Sequence, residues 1–293
     1  MTDQPLVMGV VNVTPDSFSD GGRYDDPDRA IAHGRQLLAD GADILDVGGE
    51  STRPGATRPL LAEELDRVVP VIEALAADGA RVSVDTMRAE VAARAVAAGA
   101  TIVNDVSGGL ADPDILDVVA STDATYVAMH WRAHGDRMQQ FTQYDEQGGV
   151  VAAVRAELAE RLDAIRAAGI ADDRIVLDPG LGFAKEPHHN WELLRELDVL
   201  AGLGFPLLVG ASRKTFLGRL LAAPDGTPRA VDAREDAGVA LSALLAAGLG
   251  GAPVWCLRVH DVRAHRDALA VAAQWTVHAA TRGRDGGAAG ETT

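Results

Sequence analysis

Apolar residues in this chain fall into short runs separated by longer amphipathic stretches. The runs Leu6–Val13, Ile44–Val47, Val82–Asp85, Thr101–Asp105, Thr125–Met129, Ile175–Leu177, Leu207–Val209 and Val254–Val259 predict eight strands. Several are almost continuously apolar rather than alternating, as strands buried on both faces of a parallel sheet are. Between them, Ala-, Leu- and Arg-rich segments repeat apolar residues at helical spacing over Asp28–Ala39, Leu61–Ala77, Arg88–Ala98, Asp114–Ala120, Val150–Ala168, Asn190–Leu200 and Val262–Ala280. A further interrupted pair of helices lies within Lys214–Ala247, split by Pro224–Asp232, whose two prolines and glycine predict a surface loop. Strand and helix in alternation call for βαβ units. Eight of them predict the α/β class closed into a (β/α)8 TIM barrel, with an open doubly wound sheet as the structural alternative.

The length of 293 residues suits one such barrel with trimmings. No composition shift marks a linker, so residues 1–281 are expected to form one domain. The Gly-, Ala-, Thr- and charge-rich segment 282–293 is expected to be a disordered tail. Hydrophobic residues at 47% and charged residues at 24% exclude a disordered or collagen-like protein. No apolar run approaches the ~18 residues of a membrane span, which predicts no membrane partner. Met1–Pro5 lacks the basic start and apolar run of a signal peptide, and Cys256 is the lone cysteine. Together these favour the cytoplasm. The formal net charge of −16 argues against a nucleic-acid partner, since such binding rests on neutralising phosphates. It leaves room for a small anionic substrate in a locally positive pocket. The basic residues are unevenly chosen: only Lys185 and Lys214 are lysine, and arginine fills the other 25 of 27 positions.

Chemistry-bearing residues collect where the predicted strands end, which in a barrel is the face that carries the active site. They follow the strands as Asn12–Gly22, Gly48–Gly55, Asp85-Thr86, Asn104–Gly109, Met129–Trp131, Asp178–Lys185, Gly210–Lys214 and Arg258–Asp261. Asp85, Asn104 and Asp178, joined by Lys214, suit a planar heterocycle with several N–H donors and ring nitrogens. Arg53, Arg213, Arg258 and His260 suit phosphate oxygens. Arg258 ends an apolar strand, where a charge needs a partner. Other motifs fail: Gly210–Thr215 has Arg213 where a phosphate-binding loop needs its second glycine, and Gly180-Leu181-Gly182 lacks the third glycine of a dinucleotide fingerprint. His130 and His134 lack the remaining pattern of a zinc helix, and His188-His189 reads as a solvated loop near a helix start.

The run Asn12–Gly22, the segment Gly48–Gly55 and the motifs Asp178–Lys185, Gly210–Lys214 and Arg258–Val262 resemble those of the dihydropteroate synthases of bacterial folate synthesis. The resemblance spans about the whole chain before the tail, with the motifs in order. It implies a homodimeric (β/α)8 barrel that joins 6-hydroxymethyl-7,8-dihydropterin diphosphate to 4-aminobenzoate, releasing diphosphate and forming 7,8-dihydropteroate, with Mg2+ used alongside the diphosphate. Carried over motif by motif, Asn12 would touch magnesium. Asp85, Asn104, Asp178 and Lys214 would bind the pterin ring, with Met129, Phe183 and Gly210 packing nearby. Thr52, Arg258 and His260 would serve the pterin diphosphate. Phe18, Asp20, Arg53 and Pro54, on two loops that close during the reaction, would surround the aminobenzoate, whose carboxylate Ser212 would meet. Sulfonamides resemble aminobenzoate, so the same loops would govern their binding. Two rivals are a pterin-binding methyltransferase domain working with a corrinoid partner and a catalytically silent paralogue. Retention of the loop residues argues against both.

Overall fold

The structure, a computed structural model, describes residues 4–14, 27–50, 58–134 and 137–285. Strands and helices alternate as β1 (Leu6–Asn12), α1 (Pro27–Ala39), β2 (Ile44–Gly48), α2 (Leu61–Ala77), β3 (Val82–Asp85), α3 (Ala89–Ala97), β4 (Ile102–Asp105), α4 (Asp114–Ala120), β5 (Thr125–Met129) and α5 (Val150–Ala167). There follow β6 (Ile175–Asp178), α6 (Pro187–Arg195), α7 (Leu197–Ala201), β7 (Leu208–Val209), α8 (Thr215–Leu220), α9 (Glu235–Ala246), β8 (Cys256–Val259) and α10 (Val262–Asp285). The strands are ordered β6-β5-β4-β3-β2-β1-β8-β7, and each pairs in parallel with its neighbours. A bridge between Leu177 and Leu207 joins the two outer strands, with the Leu177 N–H donating to the Pro206 carbonyl at 2.9 Å. That bridge makes the sheet a (β/α)8 barrel rather than an open sheet.

Apolar side chains form two layers. One lies between strands and helices, from Val7, Val11, Leu45 and Val47 of the first two strands to Val259 and Leu269 at the end of the chain. The other plugs the barrel interior and consists of Met8, Ile44, Ile102, Val127, Val176, Leu208 and Cys256. Strands buried on both faces explain the unbroken apolar runs of the sequence.

Two helical expectations need correction. Asn190–Leu200 is not one helix but the end of α6 and most of α7. Glu196, at φ −121° and ψ 38°, separates them, because the Leu197 N–H turns to the Gly250 carbonyl at 3.1 Å. His188 and His189 are not in a loop. They fill the first turn of α6, where His189 Nδ1 accepts the Glu186 N–H at 3.0 Å and caps the helix. At the far end α10 continues to Asp285, so its backbone takes in the first four residues of the segment expected to be a disordered tail.

Candidate active site

Side chains of a strand alternate faces, so a residue two positions beyond a plug residue also points into the barrel, one layer higher. Asp46 follows Ile44 in this way, Asn104 follows Ile102, Met129 follows Val127, Asp178 follows Val176, Gly210 follows Leu208 and Arg258 follows Cys256. The alternation that builds the core thus also builds the site. Above this layer lies a cavity of ≈ 570 Å³, into which Asn12, Phe183, Ser212, Lys214 and His260 also open.

Arg258 organises the layer. Its Nε donates to Asp46 Oδ2 at 2.6 Å and its Nη2 to Asp85 Oδ2 at 2.7 Å, while Asn104 Nδ2 donates to the same Asp46 oxygen at 3.1 Å. Burial raises the Asp85 pKa to about 7 against the pull of Arg258, with Asp46, Glu50 and Glu64 adding to the rise. Burial also raises Asp178, although its carboxylate accepts the Gly180 N–H at 2.7 Å. The same desolvation lowers Lys214 to about 8. Its ammonium donates to the Leu181 carbonyl at 2.8 Å and sits 4.2 Å from the centre of the Phe183 ring. Near the mouth His260 is held neutral, its pKa lowered to about 3 by burial and then by Arg213 and Arg258. Its Nδ1 lies 3.0 Å from Ser212 Oγ.

The loops after β6 and β7 each hold one non-glycine residue in the left-handed region, Ala184 at φ 48° and Arg213 at φ 60°. Each costs about 1–2 kcal/mol and needs outside support. Tyr144 Oη supplies it for Ala184, donating to that residue's carbonyl at 2.8 Å. For Arg213, Arg234 Nη1 donates to the carbonyl at 2.9 Å and Glu235 Oε2 accepts from the guanidinium at 2.8 Å. The residue after each is one of the chain's two lysines. Gly180, at φ +67°, passes so close to the His130 carbonyl that a Cβ there would lie 2.3 Å from its oxygen.

Residues 8–260 match a sequence family described as pterin binding enzyme. A dihydropteroate synthase of Mycobacterium leprae is 54% identical over 270 residues, covering 92% of this chain and 93% of that one. The chain belongs to the dihydropteroate synthase family. Among solved structures, the Xanthomonas albilineans dihydropteroate synthase with 4-aminobenzoic acid superposes with a TM-score of 0.83 at 44% identity, covering 93% of each chain. The same organism's enzyme in complex with 7,8-dihydropteroate gives 0.80 at 42% identity, covering 93% of this chain and 94% of that one.

Of the site residues the sequence assigned to a dihydropteroate synthase, Asn12, Asp85, Asn104, Met129, Asp178, Phe183, Gly210, Ser212, Lys214, Arg258 and His260 all line the one cavity. Phe18, Asp20, Thr52, Arg53 and Pro54 lie outside the described residues. Sequence reasoning missed Asp46, a fully buried carboxylate inside the run Ile44–Val47. The signal was available: the argument that gave Arg258 a partner applies equally to an aspartate amid apolar neighbours. Lys185 was singled out only as one of two lysines. In the structure it donates to His130 Nδ1 at 2.9 Å and the Phe183 carbonyl at 3.0 Å.

Proposed function

We propose that this barrel binds 6-hydroxymethyl-7,8-dihydropterin diphosphate with its pterin end deep in the cavity and transfers the pterin methyl carbon to the amine of 4-aminobenzoate. The observation that carries the reading is the joint placement of Asp85, Asn104 and Asp178 around Arg258 and Lys214 at the buried end of one cavity. Acceptors there match the amino and ring N–H groups of a pterin, and the ammonium matches its oxygen and ring nitrogens. Met129, with Met87 and Val106 and the partly buried Phe183, forms an apolar wall for the ring faces. His260, nearer the mouth, would meet the diphosphate together with Arg258.

The chemistry follows from these groups. The bond between the exocyclic carbon and the diphosphate oxygen breaks, and its electron pair leaves with diphosphate. Arg258 stabilises the growing negative charge. The carbon left behind is cation-like, delocalised into the ring, and offset by the carboxylates beneath it. The arylamine nitrogen then forms the new C–N bond and loses its proton to solvent or to the departing diphosphate. A weakly basic arylamine needs little deprotonation, so the site requires no strong general base. Exclusion of water from the cation falls to the loops that carry Phe18 and Arg53.

A magnesium ion would be held at Asn12. Among the described residues no trio of His, Cys, Asp or Glu is arranged to hold a metal. A single neutral amide fits a cation that brings most of its oxygen ligands with the diphosphate, as Mg2+ does. Bound there, it would neutralise charge on the leaving group. We place the activity in the cytoplasm, in keeping with a lone, buried Cys256. Among the described residues no helix is long and apolar enough to cross a membrane. A homodimer is supported by exposed apolar side chains on adjacent helices, Leu244 on α9 and Val271 and Trp275 on α10.

A diphosphate-release assay with both substrates tests the reading. Release that requires 4-aminobenzoate and yields 7,8-dihydropteroate is expected. Release without the arylamine would make the protein a hydrolase, and none at all would leave it a pterin-binding paralogue.

A further inference from the structure

A chain of polar side chains runs from the lining of the pterin cavity back to helix α5 and is not used by the chemistry above. Glu157 on α5 faces His130, which follows β5, with Glu157 Oε2 2.8 Å from His130 Nε2. Glu157 also accepts from Arg132 Nε at 3.0 Å. On the other side of the imidazole, Nδ1 lies 2.9 Å from Lys185 Nζ, and the same ammonium donates to the Phe183 carbonyl at 3.0 Å. His130 and Lys185 are 2% and 4% exposed. Hydrogen-bond roles follow from the ends of the chain. Glu157 is a carboxylate: burial favours its neutral form, but His130 and Arg132 draw its pKa down to about 2. It therefore accepts from Nε2–H. Nδ1 then carries a lone pair and accepts from Lys185. The imidazole is neutral, its pKa lowered to about 4 by burial and by Lys185.

We propose that Lys185 is a positioning residue for the pterin site. With His130 and Glu157 it ties the loop after β6 to helix α5, and so fixes where the Phe183 ring and the Lys214 ammonium stand. Geometry makes the connection. Lys185 holds the Phe183 carbonyl, and Ala184 between them is in the left-handed region, so the loop turns sharply there. The Phe183 ring lies against Lys214 Nζ, and Lys214 also holds the Leu181 carbonyl, so Lys214 grips the loop from beyond β7 while His130, after β5, anchors it through Lys185. A cavity-lining residue of this kind acts on the ligand through the loop rather than by touching it. Burial lowers the Lys185 pKa to about 7, and a compact amine on a thin stem can donate to both acceptors in either protonation state.

The proposal rests on the pterin reading above, and the experiment separates the two. Steady-state kinetics with both substrates are measured for wild type, Lys185→Met, His130→Leu and the double variant, each with a thermal melt. Wild type that makes no dihydropteroate overturns the pterin reading itself. With an active wild type, each single variant is expected to raise the KM for pterin diphosphate about tenfold, the scale of one charged hydrogen bond. The KM for 4-aminobenzoate stays within about twofold, and the double variant is no worse than about twice the poorer single one, because both break one chain. Glu157→Gln, at a partly exposed position, is expected to raise only the pterin KM, by a few fold, and serves if the buried variants do not fold. An unchanged pterin KM in His130→Leu or Glu157→Gln overturns the proposal. So do equal rises in both KM values, or multiplicative losses in the double variant, which would make Lys185 a direct ligand of the substrate.

Discussion

The ammonium of Lys214 reaches the Leu181 carbonyl at 2.8 Å, and a Cβ at Gly182 would stand 3.0 Å from its Cδ, so the stem packs closely over the glycine. A guanidinium cannot follow that path. Lys214→Arg, conservative on paper, should therefore lower kcat/KM by at least tenfold, since a charged hydrogen bond is worth ~1.5–3 kcal/mol. Arg161→Lys, away from the cavity, should change it little. Near-wild-type kinetics for Lys214→Arg would mean that the position needs charge alone. His260 offers a second test. In the free protein its pKa is lowered from 6.5 to about 3, so between those values it is neutral when folded and protonated when unfolded. The unfolded state then binds more protons, and this group's contribution to stability is present above pH 6.5 and is lost as pH falls toward 3. A diphosphate beside the ring reverses the burial penalty. Binding of pterin diphosphate at pH 6 should draw a proton from buffer, read by calorimetry in buffers of different ionisation enthalpy. His260→Asn should take up fewer protons; equal uptake would assign the titration to another group.

Among the elements, the strands were legible because each plug residue and the polar residue two places beyond it sit in one short run. Met129 and Asp178 stand at strand ends and drew attention for that reason. Asp46 stands inside its strand, and its partner Arg258 comes from the opposite end of the chain, a pairing no local pattern encodes. The division of α6 from α7 was equally hidden. Glu196 is a good helix former, and only the carbonyl of Gly250 takes the next amide out of the helix. The partner of Lys185 escaped because His130 lies 55 positions away, after β5, and no local pattern encodes the pairing. The crossing of β5 and the loop after β6 yields a further prediction. At Gly180 a methyl group would meet a backbone oxygen, which cannot step aside as a side chain can. Gly180→Ala should lose about 1–2 kcal/mol to the left-handed conformation and another ~1–3 kcal/mol to overpacking, read by urea denaturation. A loss under ~0.5 kcal/mol would show that the loop yields readily.

For the whole molecule, charge is distributed against its own net sign. The protein carries −16 overall, yet its cavity is lined by Lys185, Arg213, Lys214, Arg219, Arg234 and Arg258 against Glu50, Asp85, Asp178 and Glu186. A polyanion is thus repelled at long range and attracted at the mouth. Added salt first screens the long-range repulsion and then the attraction, since the Debye length shrinks from ~10 Å at 0.1 M to ~3 Å at 1 M. The KM for pterin diphosphate should rise several-fold between those salts, while that for singly charged 4-aminobenzoate should move less; parallel rises would locate the effect in the fold rather than the pocket. The Arg258–Asp46 contact spans 212 positions of sequence and Arg258–Asp85 spans 173. On a ribosome adding 5–20 residues per second, the carboxylate of Asp46 therefore waits roughly 10–40 s for its arginine. Throughout that interval Asp46 and Asp85 have been synthesised without the arginine that pairs with both. A nascent chain halted before β8 has seven strands and most of its apolar plug, but Asp46 and Asp85 stand without their arginine in place of a finished pocket, so capture of the pterin substrate switches on only when the last strand slots between β1 and β7.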